Sequence, residues 1–168
     1  MMRIKLFVIV FLWCVSCGYR PVTGTVPGGG KTIYVPLVGN KTPYPSLAGP
    51  LTSVLRHRLA VSGVEVVNKS AGTARLQVKI LGVQGDPGML GTQGDQLVPV
   101  DTVWRIEAEA RVIGSDGEDL KGPTLFDVQG RAFAQGGSAL GEESLGQRER
   151  TDLLDDLADA IVSKLFEN

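Results

Sequence analysis

Three stretches of the chain alternate apolar and polar residues, which is the pattern of a β-strand with one buried face. They cover 74–80, 102–112 and 125–134, and a shorter β-type stretch covers 64–67. The core positions predicted in the alternating strands are Ala74, Leu76, Val78, Ile80, Trp104, Ile106, Ala108, Ala110, Val112, Phe126, Val128, Ala132 and Ala134. Because each strand has a single apolar face, we expect the sheet to be covered on one side only.

A further strand is predicted at 31–38, ahead of the first helix. Ile33, Val35 and Leu37 fall on one face of this stretch and are predicted to point into the core. Pro36 has no N–H to donate to a neighbouring strand, so we expect the strand to lie at a sheet edge or to end near this residue.

Two stretches have apolar residues at helical spacing. The stripe of the first helix consists of Leu51, Val54, Leu55 and Leu59. The stripe of the closing helix consists of Leu154, Leu157, Ala158, Ile161 and Leu165. Ser46 or Gly49 is expected to cap the first helix and Gly63 to end it, and Thr151 is expected to cap the second.

The order of these elements predicts an α+β fold: a single small mixed or antiparallel sheet with two helices packed on one face. A Ser115-Asp116-Gly117 turn separates the last two strands. Residues 82–101 are rich in glycine, aspartate and proline, and we predict a long loop there. Loops of this length are uncommon in compact domains and often serve function.

The first residues have the pattern of a secretory leader. Arg3 and Lys5 precede an uninterrupted apolar run at 6–13. This run is shorter than the roughly 20 apolar residues that a membrane-spanning helix needs. The predicted leader covers 1–16.

The end of the leader resembles the bacterial lipobox. Val15 and Ser16 are followed by Cys17 and Gly18, although Cys14 stands where the lipobox usually has leucine. The resemblance implies a diacylglyceryl thioether and an N-acyl group on Cys17. Two or more acyl chains give stable membrane anchoring.

Three segments are therefore predicted: the leader at 1–16, a lipidated cysteine with a flexible tether at 17–30, and one periplasmic α/β domain at 31–168. The leader holds two of the 17 basic residues and none of the 18 acidic ones, which leaves 15 against 18 in the mature chain. This balance argues against nucleic acid as a partner. Both cysteines lie at the leader boundary, so no disulfide is expected in the domain.

The motifs that suggest catalysis are all incomplete. Gly30-Lys31-Thr32 ends like a phosphate-binding loop but lacks the glycine five residues earlier, and a strand follows it instead of a helix. His57 has no second histidine to share a zinc ion, and Ser138 lies outside a complete nucleophile elbow. Glu142 and Glu143 are adjacent and would diverge on a helix. We therefore predict no enzyme activity, no cofactor and no metal site.

The polar faces of two strands carry four basic residues, Arg75, Lys79, Arg105 and Arg111. One interpretation is an ordinary solvated face, with pairing across the strands to Glu107 and Glu109. The other is a surface that meets an anionic ligand, such as phosphorylated lipid A.

Several short motifs along the mature chain resemble the lipopolysaccharide-assembly lipoprotein family LptE. They are Cys17-Gly18-Tyr19-Arg20-Pro21, Lys31-Thr32-Ile33-Tyr34-Val35-Pro36, Asn40-Lys41-Thr42, and Leu51-Thr52 with Leu55. The resemblance covers nearly the whole mature chain. Cys14 and the segment 82–101 depart from the common pattern of the family.

The resemblance implies a specific role. Members of this family lie inside the outer-membrane β-barrel LptD, close its lumen, and help lipopolysaccharide reach the outer leaflet. Their fold is a small sheet with two helices. Gly18, rather than aspartate, after the lipidated cysteine resembles the signal for the outer membrane of a Gram-negative bacterium, where the anchor would hold the domain on the periplasmic side.

Two other functions remain open from the sequence. The chain could be another envelope scaffold lipoprotein, such as a secretion pilotin, because the anchor and the small domain would be the same. An envelope hydrolase is the third hypothesis, and it would depend on His57.

Overall fold

A computed structural model describes residues 25–69, 72–88, 90–93, 96–99, 101–133 and 139–166. The helices in these ranges are α1 (Ala48–Val61) and α2 (Ala139–Phe166). The strands are β1 (Thr32–Tyr34), β2 (Gly39–Asn40), β3 (Glu65–Val67), β4 (Ala74–Pro87), β5 (Leu90–Gln93), β6 (Gln96–Pro99), β7 (Asp101–Ile113) and β8 (Asp119–Phe133).

Six strands form one mixed sheet in the order β3-β1-β4-β7-β8, with β2 also beside β4. The pairs of β1 with β3 and β4, and of β2 with β4, are parallel. The long pairs β4–β7 and β7–β8 are antiparallel. Both helices contribute to the core on one face of this sheet, which confirms the predicted α+β class.

The alternating strands lie where their patterns predict, and Ala134 of the last pattern lies outside the described residues. Leu76, Val78 and Ile80 are buried on β4, opposite Val112, Ala110 and Ala108 of β7. The Ser115-Asp116-Gly117 turn is also confirmed, with Gly117 at φ 91° and its N–H bonded to the Gly114 carbonyl at 3.1 Å. β8 begins at Asp119, six residues earlier than its alternation indicates.

The strand predicted at 31–38 is shorter than expected. β1 ends at Tyr34, so the strand does end near Pro36, but Leu37 is 69% exposed. The prediction that Leu37 faces the core is therefore wrong. Between β1 and β2 the pairing with β4 is interrupted, and this part of the chain is bonded to α1. The Arg56 guanidinium donates to the Val35 carbonyl at 2.7 Å, and the Val38 N–H donates to Thr52 Oγ1 at 3.0 Å.

The first helix carries the predicted stripe, but its start differs. A 3₁₀ turn at Pro45–Leu47 leads directly into α1, and the N-cap residue is Leu47, which makes no side-chain cap bond. The expectation of a cap at Ser46 or Gly49 is wrong because the 3₁₀ turn already supplies the helix entry. Gly63, at φ 82°, ends the helix as predicted.

The loop predicted at 82–101 is wrong over most of its length. β4 continues to Pro87, and β7 begins at Asp101. One irregularity lies between Ile80 and Gly82, after which the pairing with β7 resumes. Beyond β4, the Gly88 N–H donates to the Asp101 carbonyl at 3.0 Å, and the β5–β6 hairpin follows with Leu90 opposite Pro99.

A large aromatic side chain explains how this glycine-rich stretch forms a strand. Gly85 pairs with Trp104, and a Cβ at Gly85 would lie 3.0 Å from the indole ring. The indole therefore covers the bare backbone of the glycine. Val83, opposite Ile106, also packs against the core.

The closing helix is longer than predicted. α2 begins at Ala139, so Thr151 lies inside the helix instead of capping it. The predicted stripe from Leu154 to Leu165 is buried. Arg58 of α1 and Asp159 of α2 join the two helices by an ion pair of 2.9 Å.

The described part of the chain opens with a turn that is fastened to the fold. Val26 is 1% exposed within the core. Its N–H donates to the Gly30 carbonyl, and the Gly29 N–H donates to the Val26 carbonyl, both at 2.9 Å. The leader, Cys17 and the chain up to residue 24 lie outside the described residues.

Candidate functional site

The candidate site is the face of the sheet opposite the helices. Arg75 and Lys79 on β4, and Arg105 and Arg111 on β7, alternate with the buried core residues. No described helix packs on this face, so its side chains meet solvent in the described part of the chain. The sequence pattern therefore placed all four basic residues on the correct face.

A lysine pair forms the centre of the basic group. Lys79 lies opposite Gly39 of the parallel strand β2, and the Lys41 N–H donates to the Ile80 carbonyl at 3.1 Å. A side-chain hydrogen bond from Lys41, which Lys79 can accept only as the neutral amine, together with repulsion between the two like charges, lowers the pKa of Lys79. Lys41 was missed from the sequence because nothing in the chain pattern shows that β2 pairs with β4.

Two arginines extend this group, Arg75 on β4 and Arg111 on β7. Arg111 lies opposite Gln77, and its Nε donates to Gln77 Oε1 at 2.8 Å. Arg75 pairs with Tyr34 on one side and Ile113 on the other. It also lines a shallow cavity of about 280 Å³ that the 114–117 turn helps to form.

The fourth predicted residue lies apart from the other three. Arg105 forms an ion pair with Asp127 of β8, with Nε 3.7 Å from Oδ1. Glu109 lies directly opposite Lys79, and Glu107 lies opposite Asp127. The structure therefore brings together Arg75, Lys79 and Arg111 with Lys41 and one carboxylate, Glu109, and it leaves Arg105 beside Asp127.

This arrangement is suited to binding an anion. Lys41 and Lys79 repel each other, and an anion between them would relieve that repulsion. Ammonium and guanidinium groups form charge-assisted hydrogen bonds to phosphate oxygens. Because the group is open to water, each contact is worth about 1 kcal/mol or less. Affinity would have to come from several contacts together.

The other residues considered from the sequence form no site in the described part of the chain. His57 is exposed on α1. Within the described ranges no three histidine, cysteine, aspartate or glutamate side chains gather as a metal site would require. Ser138 and Cys17 lie outside the described residues, whereas Glu142 and Glu143 fall within α2. Neither described helix is apolar enough along its length to cross a membrane.

A second feature that the sequence did not reveal lies at the other end of the sheet. The Arg150 guanidinium of α2 is 4.9 Å from the ring centre of Trp104 and 5.3 Å from that of Tyr44. The two rings meet edge to face at 6.4 Å. Asn40 holds the loop that presents Tyr44, because its Nδ2 donates to the Tyr44 carbonyl at 2.7 Å. This cluster joins α2 to the sheet.

Solved structures share this fold. A minor lipoprotein from Acinetobacter baumannii matches at a TM-score of 0.54 and 13% identity, over 80% of this chain and 90% of that one. Rare lipoprotein B from Shewanella oneidensis matches at 0.57 and 14%, over 79% and 92%. Lipoprotein B from Nitrosomonas europaea matches at 0.50 and 13%, over 80% and 83%. Among curated proteins, none matches the sequence.

The fold and the open charged face define a small two-layer domain of the kind found in bacterial lipoproteins. The family model for LptE, described as lipopolysaccharide-assembly, matches residues 30–165. The chain belongs to the LptE family. It is thus a protein of the lipopolysaccharide-assembly type.

Proposed function

We propose that the chain is an outer-membrane lipoprotein, acylated at Cys17, that binds the LptD β-barrel as its plug and assembly factor. In this role it helps lipopolysaccharide pass to the outer leaflet. The observation that carries the proposal is the family match over residues 30–165, which includes all the described strands, α1, and α2 except its last residue.

The physical properties of the domain support a plug. The lumen of a large outer-membrane barrel is polar and wet. One face of the sheet is charged and open, whereas the core beneath it is packed by both helices. Such a domain can stand in a wet lumen without exposing its core.

The basic group is proposed to contact the phosphates of lipopolysaccharide. We expect Lys41→Gln with Lys79→Gln to weaken binding of purified lipopolysaccharide by roughly tenfold, since each exposed contact contributes about 1 kcal/mol or less. The matched control is Arg105→Gln, which removes a cation already paired with Asp127. Equal losses in both variants, or equal binding of dephosphorylated lipopolysaccharide, would show that this group is not the contact.

Depletion in the native bacterium separates the proposed function from its main alternative. Loss of lipopolysaccharide from the cell surface is the expected result. Normal surface lipopolysaccharide, together with loss of secretion or pili, would instead assign the chain to pilotins or envelope scaffolds. His57→Ala should complement the depletion fully, whereas a hydrolase dependent on His57 would fail to do so.

The anchor has its own test. Cys17→Ser should accumulate as an uncut precursor without acyl chains, because the sulfur that accepts the diacylglyceryl group is gone. Intact-mass measurement of the membrane fraction reads this directly. A Cys17→Ser chain that is cut and acylated like the wild type would contradict the proposed anchor.

A further inference from the structure

Strand β8 forms one edge of the large sheet. β7 pairs with it on one side, and no strand in the described ranges pairs with it on the other. The opposite edge is β3, which has 3 residues, whereas β8 has 15. A long edge strand presents a row of backbone N–H and C=O groups with which another strand can pair.

Only the first part of β8 has features that discourage such pairing. Lys121 and Pro123 lie there, and the register with β7 shifts over the residues opposite them, between Ala110 and Ile113. Lysine, proline and bulges are common means by which natural edge strands avoid pairing. Over 124–133 the strand has no lysine or proline, and its register with β7 is unbroken. The outer edge of this part is therefore suited to accept another strand.

The residues of this part are complementary to a second, antiparallel copy of the same strand. When Gln129 of one copy lies opposite Gln129 of the other, Asp127 of each copy lies opposite Arg131 of its mate. Leu125, which is 70% exposed, then lies opposite position 133, which is a phenylalanine. These positions alternate with the core residues of β8, so they share the open face of the sheet.

The two charged residues favour this register over its neighbours. Moving the axis by two residues in either direction would place two aspartates or two arginines directly opposite each other, which is destabilising. Asp127 contacts Arg105 of its own chain through Oδ1, at 3.7 Å, and its second carboxylate oxygen can accept from Arg131 of the second copy. The charge pattern therefore selects a second copy of this chain as the partner.

The position of α2 leaves room for this second copy. Near its C-terminal end α2 lies over β8, where Lys164 Nζ is 6.0 Å from the ring centre of Phe126. Further back it lies over β7, where the Arg150 guanidinium is 4.9 Å from the ring centre of Trp104. Trp104 pairs with the residue next to Gln129, so the helix lies back from the edge at the level of the axis. Two helices related by this axis would pass each other without overlapping.

We propose that two copies of the chain pair through β8, antiparallel and with Gln129 opposite Gln129, so that their sheets become continuous. The proposal depends on the described fold and not on acylation of Cys17. In the complex proposed above one chain meets one barrel, so the dimer is the state of chains without a barrel partner. Pairing in this state covers an edge that would otherwise be open to aggregation.

A cysteine at the axis tests the register. The full mature chain with Gln129→Cys is produced without additional barrel protein and purified in a mild detergent. Directly opposite residues of antiparallel strands have Cα atoms about 4.5–5.5 Å apart, within the range of a disulfide. We expect most of this variant to become a disulfide-linked dimer on mild oxidation, above the background that the wild-type chain gives.

The matched control is Glu107→Cys, which lies on the same open face but on the inner strand β7. It should stay monomeric under the same oxidation. Equal cross-linking of the two variants would overturn the proposal. A Gln129→Cys chain that is linked to a different protein instead of a second copy would overturn it as well.

Charge reversal tests the identity of the partner. In the proposed register Asp127→Arg places arginines opposite arginines, and Arg131→Asp places aspartates opposite aspartates. We expect each variant alone to dimerise about tenfold more weakly than the wild type or worse, because two ion pairs become two repulsions. An equimolar mixture should regain the dimer, since the arginines of one variant then lie opposite the aspartates of the other.

Native mass spectrometry over a concentration series measures the dimer fraction and separates the mixed dimer by its mass, while urea denaturation shows that each variant is folded. A wild-type chain that is monomeric throughout, single variants that dimerise like the wild type, or a mixture that stays monomeric would each overturn the proposal. The dimer is measured on the free chain, so a missing barrel complex in cells would reject the proposed function and leave the dimer standing.

Discussion

Thr52 shows how a single hydroxyl can fasten a loop to a helix. It is buried on α1, where its Oγ1 accepts the Val38 N–H at 3.0 Å and donates to the Ala48 carbonyl at 2.6 Å. A buried N–H that loses its acceptor costs about 1–3 kcal/mol. α1 therefore holds the chain between β1 and β2, where the pairing with β4 is interrupted.

Thr52→Val keeps the shape of the side chain but removes the acceptor of the Val38 N–H. We expect the free energy of unfolding to fall by about 1–3 kcal/mol, measured by urea denaturation. Thr52→Ser, which keeps the hydroxyl, should lose much less. Equal losses in the two variants would mean that the missing methyl group, or packing in general, matters more than the hydrogen bond.

A second prediction for a single residue concerns Lys79 and the dependence of stability on pH. Its pKa in the folded protein is lowered, chiefly by Lys41, so the unfolded chain binds more protons between that value and the ordinary lysine value. Stability should therefore rise with pH through that alkaline window. Lys41→Gln should move the pKa of Lys79 upward and flatten the rise. Titration of the Lys79 side chain by ¹³C NMR measures the shift, and an unchanged pKa would contradict the contact.

At the scale of elements, the sequence predicted those strands and helices whose own apolar pattern determines their burial. It failed where a distant residue stabilises the element. The stretch at 82–87 has two glycines, yet it pairs with β7 and is covered by Trp104. The sequence did not predict the start of α2, because Gly141 and Gly146 interrupt the helical spacing of apolar residues. The contact of Arg150 with Trp104 joins residues far apart in the chain, so no local pattern predicts it.

The contact between Gly85 and Trp104 can be tested by one added methyl group. Gly85→Ala would place its Cβ 3.0 Å from the indole, so the ring or the strand must shift. Overpacking of this kind costs about 1–3 kcal/mol. The control is Gly82→Ala in the same strand, where the nearest atom is a flexible Glu107 oxygen at 3.7 Å. We expect a lower urea midpoint for Gly85→Ala only, and equal midpoints would contradict this explanation of the strand.

The candidate site was predicted in part for the same reason. Alternation alone placed Arg75, Lys79 and Arg111 on the open face, because side chains two residues apart share a face. Residues on other strands determine whether each cation belongs to the basic group. Lys41 joins the basic group through the parallel pair β2–β4, and Asp127 removes Arg105 from it through β8.

At the scale of the whole molecule, the two ends of the sheet are built differently. One end holds the turn at 25–30 and the end of α2, whereas the other end holds the cluster of Tyr44, Trp104 and Arg150. A domain with a packed core and one open, charged face is suited to standing in a wet lumen. The proposed role as a plug therefore depends on the partner that would surround the domain.

The identity of that partner tests the central claim most directly. The acylated chain is extracted from native membranes in a mild detergent, purified through a C-terminal tag, and its bound protein is identified by mass spectrometry. The account predicts stable recovery of the LptD β-barrel in equal amount. A stable chain recovered without a partner, or with the components of a secretion system instead, would contradict it.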